Sequence, residues 1–230
     1  MPPSPTEITA EALLDRYAQG ERDFRNVQLV GGNLSQQDLC GANFRQAVLR
    51  GCNFSEAKLV GANFREAKLA DTNFYQANLF LSNFIGADLT EASLVEANLS
   101  EAGMRSVNLI RTNLSRAILR EANLNEATFD HAVLPHANLT EASLIRAKMT
   151  GSHLVNVNLS KANLRGTNLT WSTLRGSNLR GATLYRTKLC WTNLSGADLT
   201  DAVMINAKLD YANLRHTDLQ GTVLPDGYTR

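Results

Sequence analysis

A large apolar residue, Leu, Phe or Met, stands at every fifth position from Phe24 to Leu224, 41 times without a break in phase. A period of five fits neither the 3.6 residues of a helical turn nor the two of a strand. It marks a repeat architecture, in which each unit buries its apolar side only by stacking on copies of itself. The residue two places before each centre is small: Ala42, Ala47, Ala57, Ala62 and Ala67, then mostly Ala with some Thr, Ser, Val or Cys. The residue one place before is often polar, as at Asn43, Asn53, Asn63, Asn73 and Asp88, and the two residues after the centre vary. The unit is therefore Ala-(Asn/Asp)-(Leu/Phe)-x-x.

In an extended chain, residues two apart point the same way. The small residue and the centre thus face inward together, while the Asn or Asp between them faces out or bonds the turn. The last two residues must turn the chain, or the next centre would point to the wrong side. Eleven of the fifteen glycines, Gly41 and Gly61 among them, occupy the final position, where a turn favours φ > 0. Ala42-Asn43-Phe44-Arg45-Gln46 recurs twenty residues on as Ala62-Asn63-Phe64-Arg65-Glu66, and Trp171, Trp191 and Tyr211 share a slot at the same interval. A twenty-residue coil of four faces explains both. Phe44, Phe64 and Phe84 then stack on one face, with Phe54 and Phe74 on the opposite one. The chain makes about ten coils, a rod roughly 50 Å long at ~4.8 Å per stacked strand.

These units resemble those of the pentapeptide-repeat family over residues 22–225. The resemblance implies an all-β fold, a right-handed quadrilateral β-helix. Both ends, Leu13 to Phe24 and Leu224 to Gly227, are similar to those of cyanobacterial members, including regulators of heterocyst differentiation. No loop interrupts the repeat, so a role that a relative assigns to such a loop does not transfer.

A stacked rod has two open edges that need covering. Residues 9–19 predict a short amphipathic capping helix: Thr9 is suited to the N-cap, Glu11 to the first turn and Gly20 to the end. Leu13, Leu14 and Tyr17 would pack on the first coil. Residues 1–8, with three prolines, are expected to be loose. The expected organisation is a flexible N-terminus and capping helix over 1–20, the β-helix over 21–225 and a tail over 226–230. Pro225 discourages a further coil, which leaves the last one to the tail or to a second copy, a homodimer through the C-terminal coil.

Composition narrows the function. No apolar run is long enough to span a bilayer and residues 1–20 lack the apolar core of a signal peptide, so a cytoplasmic protein is expected. Cys40 and Cys190 fall at outward slots and Cys52 at an inward one, so no disulfide framework is implied. With 23 basic and 22 acidic residues, net charge favours neither nucleic acid nor membrane. Glu126, His131, His136 and Glu141 occupy consecutive turn slots, but corners of a convex rod diverge, whereas metal ligands must converge. A rod filled with Leu and Phe has no substrate cavity. No cofactor and no catalytic residues are expected.

The outward slots carry the functional leads. The face of Phe24, Phe44 and Phe64 bears Arg25, Arg45, Arg65, Arg105, Arg146, Arg165 and Arg186 against Asp23, Glu66 and Glu126. The face of Leu39 and Leu59 is acidic, with Glu101, Glu121 and Glu141 one coil apart. Trp171, Trp191 and Tyr211 form a ladder at outward corners, beside Lys188 and Lys208. Exposed Trp and Tyr are enriched at interface hot spots, although such a ladder also stabilises a rod by stacking on itself. A second group, Val60, Tyr75, Phe80, Leu81 and Ile85, wraps around three faces. The expected function is a non-enzymatic rod that binds a regulatory protein partner, of the developmental kind that the resemblance implies. The alternative it also implies is a DNA mimic that binds gyrase; near-neutral charge and the Arg-rich face count against that.

Overall fold

The structure is a computed structural model and describes residues 5–229. One register runs through it. Asp23 pairs with Asn43, Gln28 with Val48, Asn33 with Asn53 and Asp38 with Lys58, and the series continues in steps of five to Val203–Val223. Every one of these pairs is parallel and joins residues twenty apart. The chain is a β-helical solenoid with its centres in four columns, here named by their first members, Phe24, Leu29, Leu34 and Leu39. Each rung touches the next by single bridges rather than long strands, because only three of every five residues are extended.

The remaining two residues turn the chain. In a typical unit the Ala47 N–H donates to the Phe44 carbonyl at 3.0 Å, closing a β-turn whose third residue, Gln46, has φ 59°. Every corner from Asn26 to Gly221 has φ > 0, including those without glycine. Val, Ile and Thr are absent from these corners, as the sterics of the left-handed region require. The preceding Asn helps hold the turn: Asn43 Oδ1 accepts from the Arg45 N–H, and Asn63 Nδ2 donates to Asn43 Oδ1 at 3.1 Å, linking the coils.

Inside, the centres are fully buried from Leu34 to Leu199. Phe44, Phe64 and Phe84 stack with centroids 5.2 and 4.9 Å apart, and Phe54 and Phe74 at 5.1 Å. The two stacks meet edge to face, as between Phe64 and Phe74 at 5.8 Å and 81°. Where Thr or Ser replaces the small Ala, the buried hydroxyl donates to the carbonyl of a centre, in the coil before for Thr112 to Leu89 and Thr167 to Leu144, or three residues back for Ser82 to Leu79 and Ser177 to Leu174. A buried hydroxyl is thereby satisfied without disturbing the stack.

The ends differ. Helix α1, Ala10–Ala18, is capped by Thr9, whose Oγ1 accepts from the Ala12 N–H at 3.1 Å. It buries Leu13 fully and rests Leu14 and Tyr17 against the core; the Tyr17 hydroxyl donates to the Cys40 carbonyl at 2.9 Å. The expectation of a loose segment over 1–8 is corrected within the described residues. Strand β1, Thr6–Glu7, pairs in parallel with β2, Val27–Gln28, extending the ladder by one rung. The Thr6 N–H donates to the Asn26 carbonyl and the Ile8 N–H to the Gln28 carbonyl, both at 3.0 Å. The open backbone edge of the first coil supplies the reason. Residues 1–4 lie outside the described residues.

At the other end Val223 and Thr229 form an antiparallel bridge, so the tail folds back on itself. It covers the core only in part: Leu209, Leu214, Leu219 and Leu224 are half-buried, unlike the centres before them. No described residue continues the ladder beyond Leu209, Leu214 or Leu219.

Candidate interaction surfaces

The left-handed corner aims its side chain away from the rod, and the register repeats that direction every twenty residues. Trp171, Trp191 and Tyr211, with φ 64°, 59° and 58°, therefore line up along one edge. The two indoles stack at 4.8 Å with planes 9° apart, and Tyr211 adds to the stack at 4.2 Å and 17°. All three stay exposed, at 61, 47 and 75%. Self-stacking and exposure, opposed in the sequence argument, coexist: rings cover one another's faces and present their edges. Lys188 and Lys208 pair as neighbours on the Leu29 column beside the ladder.

The second apolar group does not converge. Tyr75 lies on the Leu34 column, Val60, Phe80 and Leu81 on the Leu39 column, and Ile85 on the Phe24 column. Only Tyr75 and Leu81 are exposed, and Val60, Phe80 and Ile85 are half-buried. Leu81 occupies a left-handed corner with φ 57°, which places an apolar side chain in solvent at a strained position.

The N-terminal arginines are occupied. Arg25 pairs with Asp23 at 2.6 Å, Arg65 with Glu66 at 3.0 Å and Arg45 with the same Glu66 at 3.8 Å. The hydrogen bond from Arg65 holds the Glu66 carboxyl below the usual range. Arg105 meets Glu126 at 3.2 Å. Further along, Arg146, Arg165 and Arg186 form no ion pair with any described residue, a distinction that column charge conceals. Two of them attend one ring: the guanidinium carbons of Arg165 and Arg186 lie 5.3 and 5.0 Å from the Tyr185 centroid. For Arg45, Arg105 and Arg165, which share one slot, the sequence signal is the corner residue twenty-one positions on: Glu66, Glu126 and Arg186.

Acidic residues on the Leu39 column are similarly engaged, Glu141 by Lys161 at 3.5 Å and Asp198 by Arg180 at 3.5 Å. Such exposed pairs contribute about 0–1 kcal/mol each, so they shape the surface more than the stability. Glu126, His131, His136 and Glu141 sit on four successive corners. Among the described residues no three His, Cys, Asp or Glu side chains converge on a point. Among the same residues no helix is long and apolar enough to cross a membrane. The depressions in the surface are shallow, one of them lying between α1 and the first coil, against Ile8, Thr9, Leu29 and Val30.

A profile described as a pentapeptide repeat region matches residues 62–134, and one of eight pentapeptide repeats matches 23–55, 117–154, 152–189 and 182–221. No curated protein matches the chain. Among solved structures it is similar to HetL, a pentapeptide repeat protein involved in heterocyst differentiation regulation from the cyanobacterium Nostoc sp. strain PCC 7120. The two are 30% identical with a TM-score of 0.72 over 97% of this chain and 100% of that one. Trypsin-treated QnrB1, a plasmid-mediated fluoroquinolone resistance protein, shares the fold at 21% identity, with a TM-score of 0.52 over 88% of this chain and 91% of that one. The unbroken five-residue phase, the twenty-residue register and these matches agree: the chain belongs to the pentapeptide-repeat family and is a right-handed β-helical solenoid.

Proposed function

We propose that this protein is a four-sided rod of about ten coils that acts without catalysis, by holding a regulatory protein partner in the cytoplasm of a cyanobacterium. The stacked ladder of Trp171, Trp191 and Tyr211 carries the proposal: three large, rigid, exposed aromatic side chains aligned on a rod whose interior is filled. Rigid aromatics lose little conformational entropy on binding and dominate interface energetics. Similarity to HetL supports developmental regulation as the setting. Similarity to QnrB1 supports the fold alone, and the exposed Arg146, Arg165 and Arg186 disfavour a DNA-like surface. In the same proposal the half-buried leucines of the last coil are a place where a second copy can dock.

The experiment is affinity capture from a cyanobacterial lysate with the wild type and with Trp171→Ala/Trp191→Ala/Tyr211→Ala. A protein held by the wild type and lost by the triple variant is the expected result. Equal capture by both removes the ladder as the site, and recovery of gyrase subunits would replace the regulatory reading with the gyrase-binding one.

A further inference from the structure

The unpaired cations of the C-terminal half form one surface with the aromatic ladder. Lys148, Asn168, Lys188 and Lys208 follow one another in a single bridge series on the Leu29 column. Two residues before Lys148 and Lys188 come the corners Arg146 and Arg186; three residues after Asn168, Lys188 and Lys208 come Trp171, Trp191 and Tyr211. One side of the rod is thus bounded by an arginine edge and an aromatic edge, with lysines between them. Arg165 stands beside the arginine edge, on the Phe24 column.

Arg146, Lys148, Arg165, Arg186, Lys188 and Lys208 are all exposed, and none pairs with a carboxylate among the described residues. The outward positions of the Phe24 and Leu29 columns contain no Asp or Glu between Asp130 and Asp210. The nearest acids across the far edge of the Phe24 column, Glu141 and Asp201, are taken up by Lys161 at 3.5 Å and Arg180 at 3.9 Å. Asp130 accepts a hydrogen bond from the Thr150 N–H at 2.8 Å. At the middle of the arginine edge stands Gly166; a β-carbon there would lie 3.7 Å from Arg146 Cγ, so the Arg146 side chain leans across this corner. Both guanidinium groups lie over the Tyr185 ring, a cation–π contact, and neither donates a side-chain hydrogen bond to a described residue.

Unpaired cations with like neighbours repel one another, so this arrangement is relieved by an anionic partner. Lys148 to Lys208 spans three coils, about 14 Å at ~4.8 Å per coil, the reach of a short extended peptide rather than of one small anion. The ladder beside it requires an apolar side chain as well as charge. We infer that this side of the rod binds an extended, Asp/Glu-rich segment of a partner protein, its carboxylates on the six cations and an apolar or aromatic anchor against Trp171, Trp191 and Tyr211. The inference rests on the interaction-rod reading and names the chemistry of the partner.

The probe is a fluorescein-labelled Glu-rich dodecapeptide with one central Phe, followed by anisotropy with the full-length protein. Both tryptophans of the chain lie in the ladder, so intrinsic emission reports the anchor separately. Binding is expected to weaken at least about tenfold in Arg146→Glu/Arg165→Glu/Arg186→Glu and also between about 50 and 300 mM salt. Glu is common at the corners that Arg146 and Arg186 occupy, and Arg165 is exposed, so the variant keeps the fold. Arg50→Glu/Arg175→Glu/Arg215→Glu makes the same change in net charge on other parts of the surface and is expected to bind within about twofold of wild type. The peptide without Phe is expected to leave tryptophan emission unchanged. Absence of binding, equal loss in the two triple variants, or tighter binding of a short DNA duplex overturns the inference. So does self-association that the first variant abolishes, which would give the surface to the acidic column of a second copy. If that variant still captures the lysate partner while the aromatic variant does not, the acidic-segment inference fails and the interaction-rod reading stands.

Discussion

Trp171 and Trp191 are stacked at 4.8 Å and 9° although each occupies a left-handed corner where most side chains are disfavoured. The register brings their Cα atoms one coil apart, and the common corner conformation makes their rings parallel. Trp191 is the middle of the stack and touches both neighbours. Trp191→Ala is expected to lower stability by about 1–3 kcal/mol, since each aromatic contact is worth about 0.5–1.5 kcal/mol. Tyr211→Ala removes only one contact and is expected to lose about half as much. Urea denaturation compares the two, and the near-ultraviolet circular dichroism of the coupled indoles should vanish in Trp191→Ala.

Leu81 is an exposed aliphatic residue at φ 57°. Left-handed strain for such a residue is about 1–2 kcal/mol, and glycine relieves it while adding about 0.5–1 kcal/mol of unfolded-chain entropy. Leu81→Gly is therefore expected to stabilise the rod by about 0.5–1 kcal/mol. Leu81→Val, β-branched at the same corner, is expected to destabilise it. Denaturant midpoints of the three proteins test the order.

Phe64 is fully buried and stacked against Phe44 and Phe84, with edge contacts to Phe54 and Phe74. Phe64→Ala is expected to cost about 3–5 kcal/mol. Each coil contacts only its neighbours, so the loss should loosen the N-terminal coils first and split a single unfolding transition into two. The tryptophans report the C-terminal coils alone, so their emission should persist through the first transition.

Burial pushes the Cys52 thiol up from 9.0 to about 11, outweighing the backbone hydrogen bonds of Gly32 and Gly31. Its Sγ donates to the Leu29 carbonyl at 3.0 Å. A group with a raised folded pKa contributes its stability in full below the unfolded value and loses it as pH rises through the folded one. The difference in stability between wild type and Cys52→Ala is thus expected to be constant below about pH 9 and to move against the wild type between about 9 and 11. Paired denaturation curves across that range check it. A thiol reagent near neutral pH should modify Cys190 in the folded protein and reach Cys52 only on unfolding.

Much of this was legible in the residues. Recurrence of Phe44 as Phe64 and of Trp171 as Trp191 points to the twenty-residue register that the parallel bridges show. Thr9 and the spacing of Leu13 and Tyr17 give the capping helix. The pairing of Thr6 and Glu7 with Val27 and Gln28 was not legible, since two residues carry no periodicity and their partner is simply the unfilled edge of the first coil. Nor was the state of the arginines: Arg45 and Arg165 occupy the same slot of the same column, yet one meets Glu66 and the other faces Tyr185. Column charge treats them alike, and the corner of the next coil, Glu66 against Arg186, has to be read with it.

The numbers five and twenty play separate parts in this chain. An insertion of one residue would throw every later centre out of the core. An insertion of five keeps each centre inside but advances everything after it by one column, so the aromatic edge would swing around the axis relative to α1 and the N-terminal coils. An insertion of twenty restores the original alignment and merely moves the two groups apart. Direction and distance between surface features are thus separately adjustable by length alone, with no change to any residue on the surface.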